Sequence, residues 1–315
     1  MDIKVKHPLI VVLGPTASGK TRLAAHLAAR LNAEIISADS RQIFRGMDVG
    51  TGKDLHEYIV AGKSVSYHLI DIQEAGARYH VHAYQEDFYR VFEHLIQKNV
   101  LPVLCGGSGM YIHSILQQHQ YTAIPVDPKL REILLPLSVE ELRVELDKFP
   151  EAFTAHADRS SHKRLIRAIE IAAYLSSNTP ETARRPEIDP LVIGLYTEIA
   201  RRRQRVSDRL LARLEGGLIE EVECLMKAGV STDMLKFYGL EYKFVSAYLL
   251  NEMSYDEMVE RLAIAISQFA KRQMTFFRKM EKDGVQIHWL EADRDFEALY
   301  FSALELTQQK FGLGG

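Results

Sequence analysis

The octapeptide GPTASGKT at residues 14–21 fits G-x-x-x-x-G-K-[ST] and stands between an apolar run and a helical pattern. In that context such a loop cradles phosphate. Gly14 and Gly19 let backbone N–H groups approach an anion closely, and the helix N-terminus that follows adds its dipole. The whole loop, Gly14, Pro15, Thr16, Ala17, Ser18, Gly19, Lys20 and Thr21, is assigned to a bound di- or triphosphate. Lys20 neutralises phosphate oxygens and the Thr21 hydroxyl holds Mg²⁺ in this reading. The motif specifies nucleotide-type phosphate binding without specifying ATP. Asp39 closes the apolar segment after the cradle helix. In an open parallel sheet that position lies at the carboxyl edge, near the phosphates. A carboxylate there suits a Mg²⁺ ligand, a hold on a substrate hydroxyl or a general base, with a turn or capping Asp as the plain alternative. Asp71, at the end of YHLID (67–71), is open between a carboxylate near a metal and a strand-end cap.

The elements that must position these groups alternate between short apolar runs and helical patterns, as an α/β parallel sheet requires. LIVVL (9–13), EIISA (34–38), YHLID (67–71), LPVLC (101–105), LVIGLY (191–196) and VQIHWL (285–290) read as strands. Thr21–Leu31, Val81–Gln97, Ser160–Leu175, Arg201–Lys227, Gly239–Leu250 and Tyr255–Met280 read as helices, with a last one from Asp293. Prolines 125, 128 and 136 interrupt short charged helical patterns, which predicts a small helical insertion at 125–157 within a core of 1–124 and 158–315. Pro180–Pro190 reads as a linker.

A chain of 315 residues, 47% hydrophobic and 26% charged, has the make-up of an ordinary globular protein. No apolar run approaches the roughly 18 residues that span a bilayer. The start, MDIKVKHPLIVVLG, leads straight into the phosphate loop without a secretory signature, so a cytoplasmic location is expected. Cys105 and Cys224 lie far apart without metal-ligand spacing and read as core thiols.

The net charge of −3 gives no sign of nucleic-acid binding, but the cations are unevenly placed. Arg159–Arg167 and Lys271–Lys279 are basic without an acid, and Arg201–Arg213 holds six arginines against Asp208 alone. One such stretch is normally a solvated helix face; three of them predict a basic channel. Phe269 and Phe276, seven apart beside the last stretch, are expected to pack in the core.

DSRQIFRGMDVGTGK (39–53), HLID (68–71) and GGSGMY (106–111), following GPTASGKT, resemble the tRNA dimethylallyltransferase family, whose usual patterns are DSxQ-(I/V)-Y, GT-A-K and GGTGLY. RLIRAIE (164–170), GGLIEEV (216–222) and QFAKRQMTFFRK (268–279) continue the resemblance in the same order over nearly the whole chain. The resemblance implies a P-loop-like core and a loop that holds the diphosphate of dimethylallyl diphosphate rather than ATP. It implies transfer of the five-carbon group to N6 of the adenosine just 3′ of a tRNA anticodon, with release of pyrophosphate. By that resemblance Asp39 is the general base, and Lys20, Thr21 with Mg²⁺, and Ser108 complete the catalytic set. Asp39, Ser40, Arg41, Gln42 and Ser108 would contact the target base. Arg131, Lys163, Arg164, Arg167, Lys271, Arg272, Gln273 and Arg278 would line the RNA side. Arg205 and Arg209 match a family pattern that suits diphosphate or RNA contact equally. A monomer is expected. The chain departs from the family in GTGK for GTAK, Ser108 for threonine and TFFR for TWFR. A nucleotide or nucleoside kinase would share the cradle and Asp39 but has no particular use for the basic segments. A non-catalytic RNA-binding protein would have no need of a base beside a diphosphate.

Overall fold

The computed structural model describes residues 5–155, 157–179 and 184–312. Contacts divide the chain into two units, Met1–Gln118 with Pro186–Gly315, and His119–Arg185.

The first unit is built on strands β1 (Lys6–Leu13), β2 (Glu34–Ser37), the hairpin β3 (Ile59–Val60) and β4 (Lys63–Ser64), β5 (Tyr67–His68), β6 (Pro102–Gly106), β7 (Glu187–Tyr196) and β8 (Ile287–Glu291). All but the hairpin form one parallel sheet in the order β5-β2-β6-β1-β7-β8. Leu9 to Leu13 in β1 are fully buried, which suits a branched apolar run covered on both faces of a parallel sheet. The registers Leu13↔Gly106 and Ser37↔Cys105 align the carboxyl ends of β1, β6 and β2 on one edge. The phosphate loop, Gly106–Ser108 and Asp39 therefore leave the sheet side by side.

Helices α1 (Lys20–Leu31), α2 (Val81–Gln97) and α3 (Gly109–Leu116) follow β1, β5 and β6. The second unit holds α4 (Pro128–Leu134), α5 (Val139–Asp147), α6 (Glu151–Thr154) and α7 (His162–Ser177). Asp127 caps α4, and Ser138 with Glu141 forms a reciprocal capping box on α5. Leu134, Leu142 and Leu146 share a core with Leu165, Ile166 and Ile169 of α7. The second unit is thus wider than the expected insertion at 125–157, because α7 presents its apolar stripe to these short helices.

After β7 come α8 (Ile199–Glu215), α9 (Leu218–Lys227), α10 (Thr232–Tyr238), α11 (Leu240–Leu249), α12 (Tyr255–Lys282) and, beyond β8, α13 (Phe296–Phe311). The pattern expected as one helix over 201–227 is two, broken at Gly217 with φ 96°. Residues 67–71 give only a two-residue strand, because Leu69 and Asp71 turn into the left-handed region. β7 starts at Glu187, inside the expected linker, whose residues 180–183 lie outside the described residues. Helix α12 is 28 residues long and buries Met258, Leu262, Ile266, Ala270, Gln273, Phe277 and Met280 on one stripe. Phe269 falls off that stripe and is 43% exposed, so its expected place in the core is corrected. Gln273 is the one polar residue on it.

A Cβ at Gly106 would come 2.1 Å from the Ala38 carbonyl oxygen, a backbone atom that cannot swing away. Gly106→Ala should lose about 1–3 kcal/mol in denaturant unfolding, the usual cost of overpacking, by prising β6 from β2.

Candidate active site

The carboxyl edge of the sheet opens into a cavity of about 730 Å³ within the first unit. Its lining takes in Thr16–Thr21 of the phosphate loop, Asp39–Gln42 and Ser108. Arg205, Arg209 and Arg213 of α8, spaced four apart on one helix face, line it as well.

The phosphate loop passes from β1 into α1 through left-handed Ala17 (φ 60°) and Gly19 (φ 77°). Ser18 Oγ is buried and has no hydrogen-bond partner among the described residues, an unusual state for a hydroxyl inside a fold. Lys20 is half-buried at the start of α1, its Nζ 3.5 Å from the Pro15 carbonyl oxygen. Burial pushes its pKa down, Cys105 and Asp39 oppose that shift, and Arg209 adds to it. Burial also pushes the Cys105 thiol up to about 12, so it stays a neutral core group as expected, whereas Cys224 is exposed on α9 and its expected place in the core is corrected. Asp39 Oδ1 accepts the Arg41 N–H at 2.9 Å, which leaves Oδ2 without a hydrogen-bond partner among the described residues. Ser108 Oγ accepts the Ser40 N–H at 2.9 Å, and the Ser108 N–H donates to the Ala38 carbonyl at 3.1 Å. Ser108 thereby fastens the Asp39 segment to the turn after β6.

Two residues expected to touch RNA have their amides committed inside the protein. Gln42 is buried, donating to the Gly52 carbonyl at 3.1 Å and accepting from Ser37 Oγ at 3.1 Å. Gln273 Nε2 donates to the Gly107 carbonyl at 2.9 Å, while its Oε1 accepts the Thr16 N–H at 2.9 Å. It ties the phosphate loop to the Gly106–Ser108 turn from α12. A Cβ at Gly107 would lie 2.5 Å from that Nε2, which accounts for glycine there.

Lys53 is almost completely buried; its ammonium meets the Phe44 carbonyl at 2.8 Å and the carboxylates of Asp48 and Asp71. Asp71 is thus an internal partner of Lys53, which favours the structural of its two readings. Glu221 of α9 accepts the N–H groups of Asp48, Val49 and Gly50 at 2.7, 2.7 and 3.0 Å and the Tyr242 hydroxyl at 2.8 Å. The 47–53 loop is therefore pinned from both sides. Gly52, at φ 60°, lies under the Arg213 guanidinium: a Cβ would come 1.7 Å from one of its nitrogens. Glycine in GTGK makes room for Arg213, which also pairs with Glu241 at 3.3 Å. Arg209 pairs with Asp54, and Arg205 with Asp293 at 3.1 Å.

Of the other expected RNA-side residues, Arg272 lines the cavity, and Lys271 and Arg278 are exposed elsewhere on α12. In the second unit Lys163 is exposed, and Arg164 pairs with Asp158 at 3.0 Å. Arg131 and Arg167 are held by Glu170, whose carboxylate is fully buried, at 2.7 and 3.5 Å. Arg167 also donates to the carbonyls of Ile124, Tyr121 and Pro125 at 2.5, 3.3 and 3.2 Å. These two arginines have a clear packing role in addition to any surface one. Glu241, Glu57 and Phe237, which no motif flagged, also line the cavity.

The model of the family described as IPP transferase matches residues 42–280. The chain belongs to that family. A protein of Parabacteroides distasonis named tRNA dimethylallyltransferase 1 is 49% identical over 286 residues, covering 91% of this chain and 93% of that one. The crystal structure of a full-length tRNA isopentenylpyrophosphate transferase from Bacillus halodurans superposes with a TM-score of 0.71 at 29% identity, over 97% of both chains. A eukaryotic dimethylallyltransferase solved acting on tRNA shares the fold, with a TM-score of 0.73 at 19% identity, over 96% of this chain and 78% of that one. The six-stranded parallel core with a P-loop is thus the family's architecture, and the chain is an IPP transferase-family enzyme.

Two outcomes follow from the site's construction. Gln273→Leu keeps the volume but removes both hydrogen bonds, and should weaken pyrophosphate binding on the order of tenfold by calorimetry, at about 1 kcal/mol for the lost ordering. Gly52→Ala should lose about 1–3 kcal/mol in denaturant unfolding from the clash with Arg213, besides the strain of a left-handed alanine. In an Arg213→Ala background the strain and a 2.7 Å approach to Arg209 remain while the 1.7 Å clash is gone, giving a coupling of about 1 kcal/mol or more in a double-mutant cycle.

Proposed function

We propose that this enzyme is a tRNA dimethylallyltransferase, moving the dimethylallyl group from dimethylallyl diphosphate to N6 of the adenosine 3′-adjacent to a tRNA anticodon. The observation that carries the reading is the sharing of one cavity by the phosphate loop and Asp39, with Oδ2 of that carboxylate left without a hydrogen-bond partner among the described residues. The names of the similar proteins supply the substrates.

In this reading the loop amides, Lys20, Arg205 and Arg209 bind the diphosphate. The donor's C1–O bond breaks as C1 bonds to N6, and the N6 proton passes to Asp39 Oδ2. Pyrophosphate leaves with the electron pair of the broken bond. An exocyclic adenine amine is a weak nucleophile, so a carboxylate beside it contributes about 10²–10⁴-fold. The preset cations meet charge that grows on the leaving group. Ser108 acts by holding the Ser40 amide, and so the segment that carries Asp39. Arg41 and Ser40 face the acceptor base, which must leave its stack at a cost of a few kcal/mol.

Mg²⁺ fits the residues present. Among the described residues there is no group of three or more His, Cys, Asp or Glu able to cage a metal. The Thr21 hydroxyl would hold an ion whose remaining ligands are substrate oxygens and water, a usual arrangement for Mg²⁺. When bound, it neutralises charge on the diphosphate.

The cations of α12, with Arg131, Lys163, Arg164 and Arg167, provide the RNA-facing charge. The reading also makes the protein a cytoplasmic monomer; no described helix is long and apolar enough to cross a membrane.

Purified protein incubated with Mg²⁺, dimethylallyl diphosphate and unmodified tRNA should add one C₅H₈ unit to adenosine, read by nucleoside mass analysis. Asp39→Ala should lower the single-turnover rate by about 10²–10⁴-fold while leaving pyrophosphate binding within a few-fold. Absence of the adduct, with ATP turnover on a small acceptor, would instead support the kinase reading.

A further inference from the structure

Phe237, in the last turn of helix α10, is 43% exposed and lines the same cavity as Asp39. An exposed phenyl ring gains nothing from solvent, and the buried neighbours Leu235 and Tyr238 already anchor the helix. Two guanidinium groups stand over this ring, Arg41 at 5.4 Å and Arg78 at 5.6 Å from its centroid. Phe269, also 43% exposed and lining the cavity, repeats the arrangement with Arg272 at 5.9 Å. These spacings are looser than the stack of Arg22 on Phe296, at 3.9 Å.

The looseness sets what can enter. Stacked bases are spaced by about 3.4 Å, so a base between a ring and a guanidinium plane needs about 6.8 Å. The gaps at Phe237 fall short of that by little more than 1 Å, which a rotamer adjustment of a long arginine supplies. The backbone N–H of Arg41 donates to Asp39 Oδ1, and its guanidinium, the group over Phe237, feels the Asp39 charge. A planar group on Phe237 would therefore share the cavity with that carboxylate. Unstacked bases of single-stranded RNA are bound in this way, on aromatic faces and arginine planes, with little dependence on sequence.

We propose that Phe237, with Arg41 and Arg78, is the platform that holds a nucleobase of the unstacked anticodon loop beside Asp39, and that Phe269 with Arg272 holds a second base at the cavity wall. The proposal rests on the tRNA dimethylallyltransferase reading and adds the surface that takes the acceptor.

Phe237 is tested by steady-state prenylation of an anticodon stem-loop and by direct titration of that stem-loop without donor. Phe237→Ala should raise both KM and Kd for RNA on the order of 10- to 100-fold, the range seen when one stacking ring is removed. The KM for dimethylallyl diphosphate should stay within twofold. Phe237→Leu keeps apolar bulk without a π face and should behave like the alanine variant, whereas Phe237→Tyr should return to within a few-fold of the parent. A melting temperature matching the parent's identifies the variants as folded. A leucine variant with parental RNA affinity, or a parallel rise in donor KM, would overturn the proposal. The donor-free titration keeps its failure distinct from failure of the prenyl-transfer reading, which the parent enzyme's nucleoside products decide alone.

Discussion

The site depends first on the side chain of Gln273. One amide accepts the Thr16 N–H in the phosphate loop and donates to the Gly107 carbonyl in the turn after β6, joining segments 257 and 166 residues away in the chain. Two loops that end neighbouring strands have no intrinsic reason to keep a fixed spacing, since their backbone groups point away from the sheet ladder. A buried amide with both ends paired supplies that reason, and an unpaired one would be costly. The 28-residue helix α12 makes it rigid, because the stripe that carries Gln273 is otherwise apolar and packed into the core.

The same logic extends outward. Ser108 takes the Ser40 N–H and so transmits the position of the Gly107 turn to Asp39. Gln42 passes it on to Gly52, Glu221 takes the loop's N–H groups, and Lys53 ties the loop's end back to the Phe44 carbonyl. Arg213 can lie over Gly52 only because no side chain is there. The cavity is thus walled by polar side chains whose partners are mostly backbone groups, an arrangement suited to holding catalytic groups in place before substrate arrives. Its lining is rich in cations, Lys20, Arg41, Arg205, Arg209 and Arg213 among them, with Asp39, Asp54 and Glu241 between them in the same wall. Carboxylates paired with the arginines, Asp54 with Arg209 and Glu241 with Arg213, keep the cluster tolerable.

Much of the fold was legible because apolar periodicity is a local property. Helix Val81–Gln97 agrees with the reading at both ends, and the strands of the sheet were all found. The short α10 was missed, since seven residues between polar turns carry too little pattern to separate from loop. Residues 67–71 misled because an apolar run says nothing of two left-handed residues within it. The division into units was misjudged at α7, whose stripe fits a sheet or small helices equally well.

The sequence alone determined the chemistry's inventory: a phosphate loop between strand and helix, a carboxylate one strand later, and the arginines of α8. Those follow from residue type and spacing along one or two adjacent elements. Only the tertiary structure decided which motif residues face the cavity and which brace it. Gln42, Gln273 and Lys53 belong to the motifs yet spend their polar atoms on the protein's own backbone and carboxylates, while Phe237, outside every motif, is exposed on the wall. The physical reason is that a polar side chain's role depends on whether a backbone partner lies within about 3 Å. That distance is set by strand order and helix packing across the whole chain, not by neighbours in sequence.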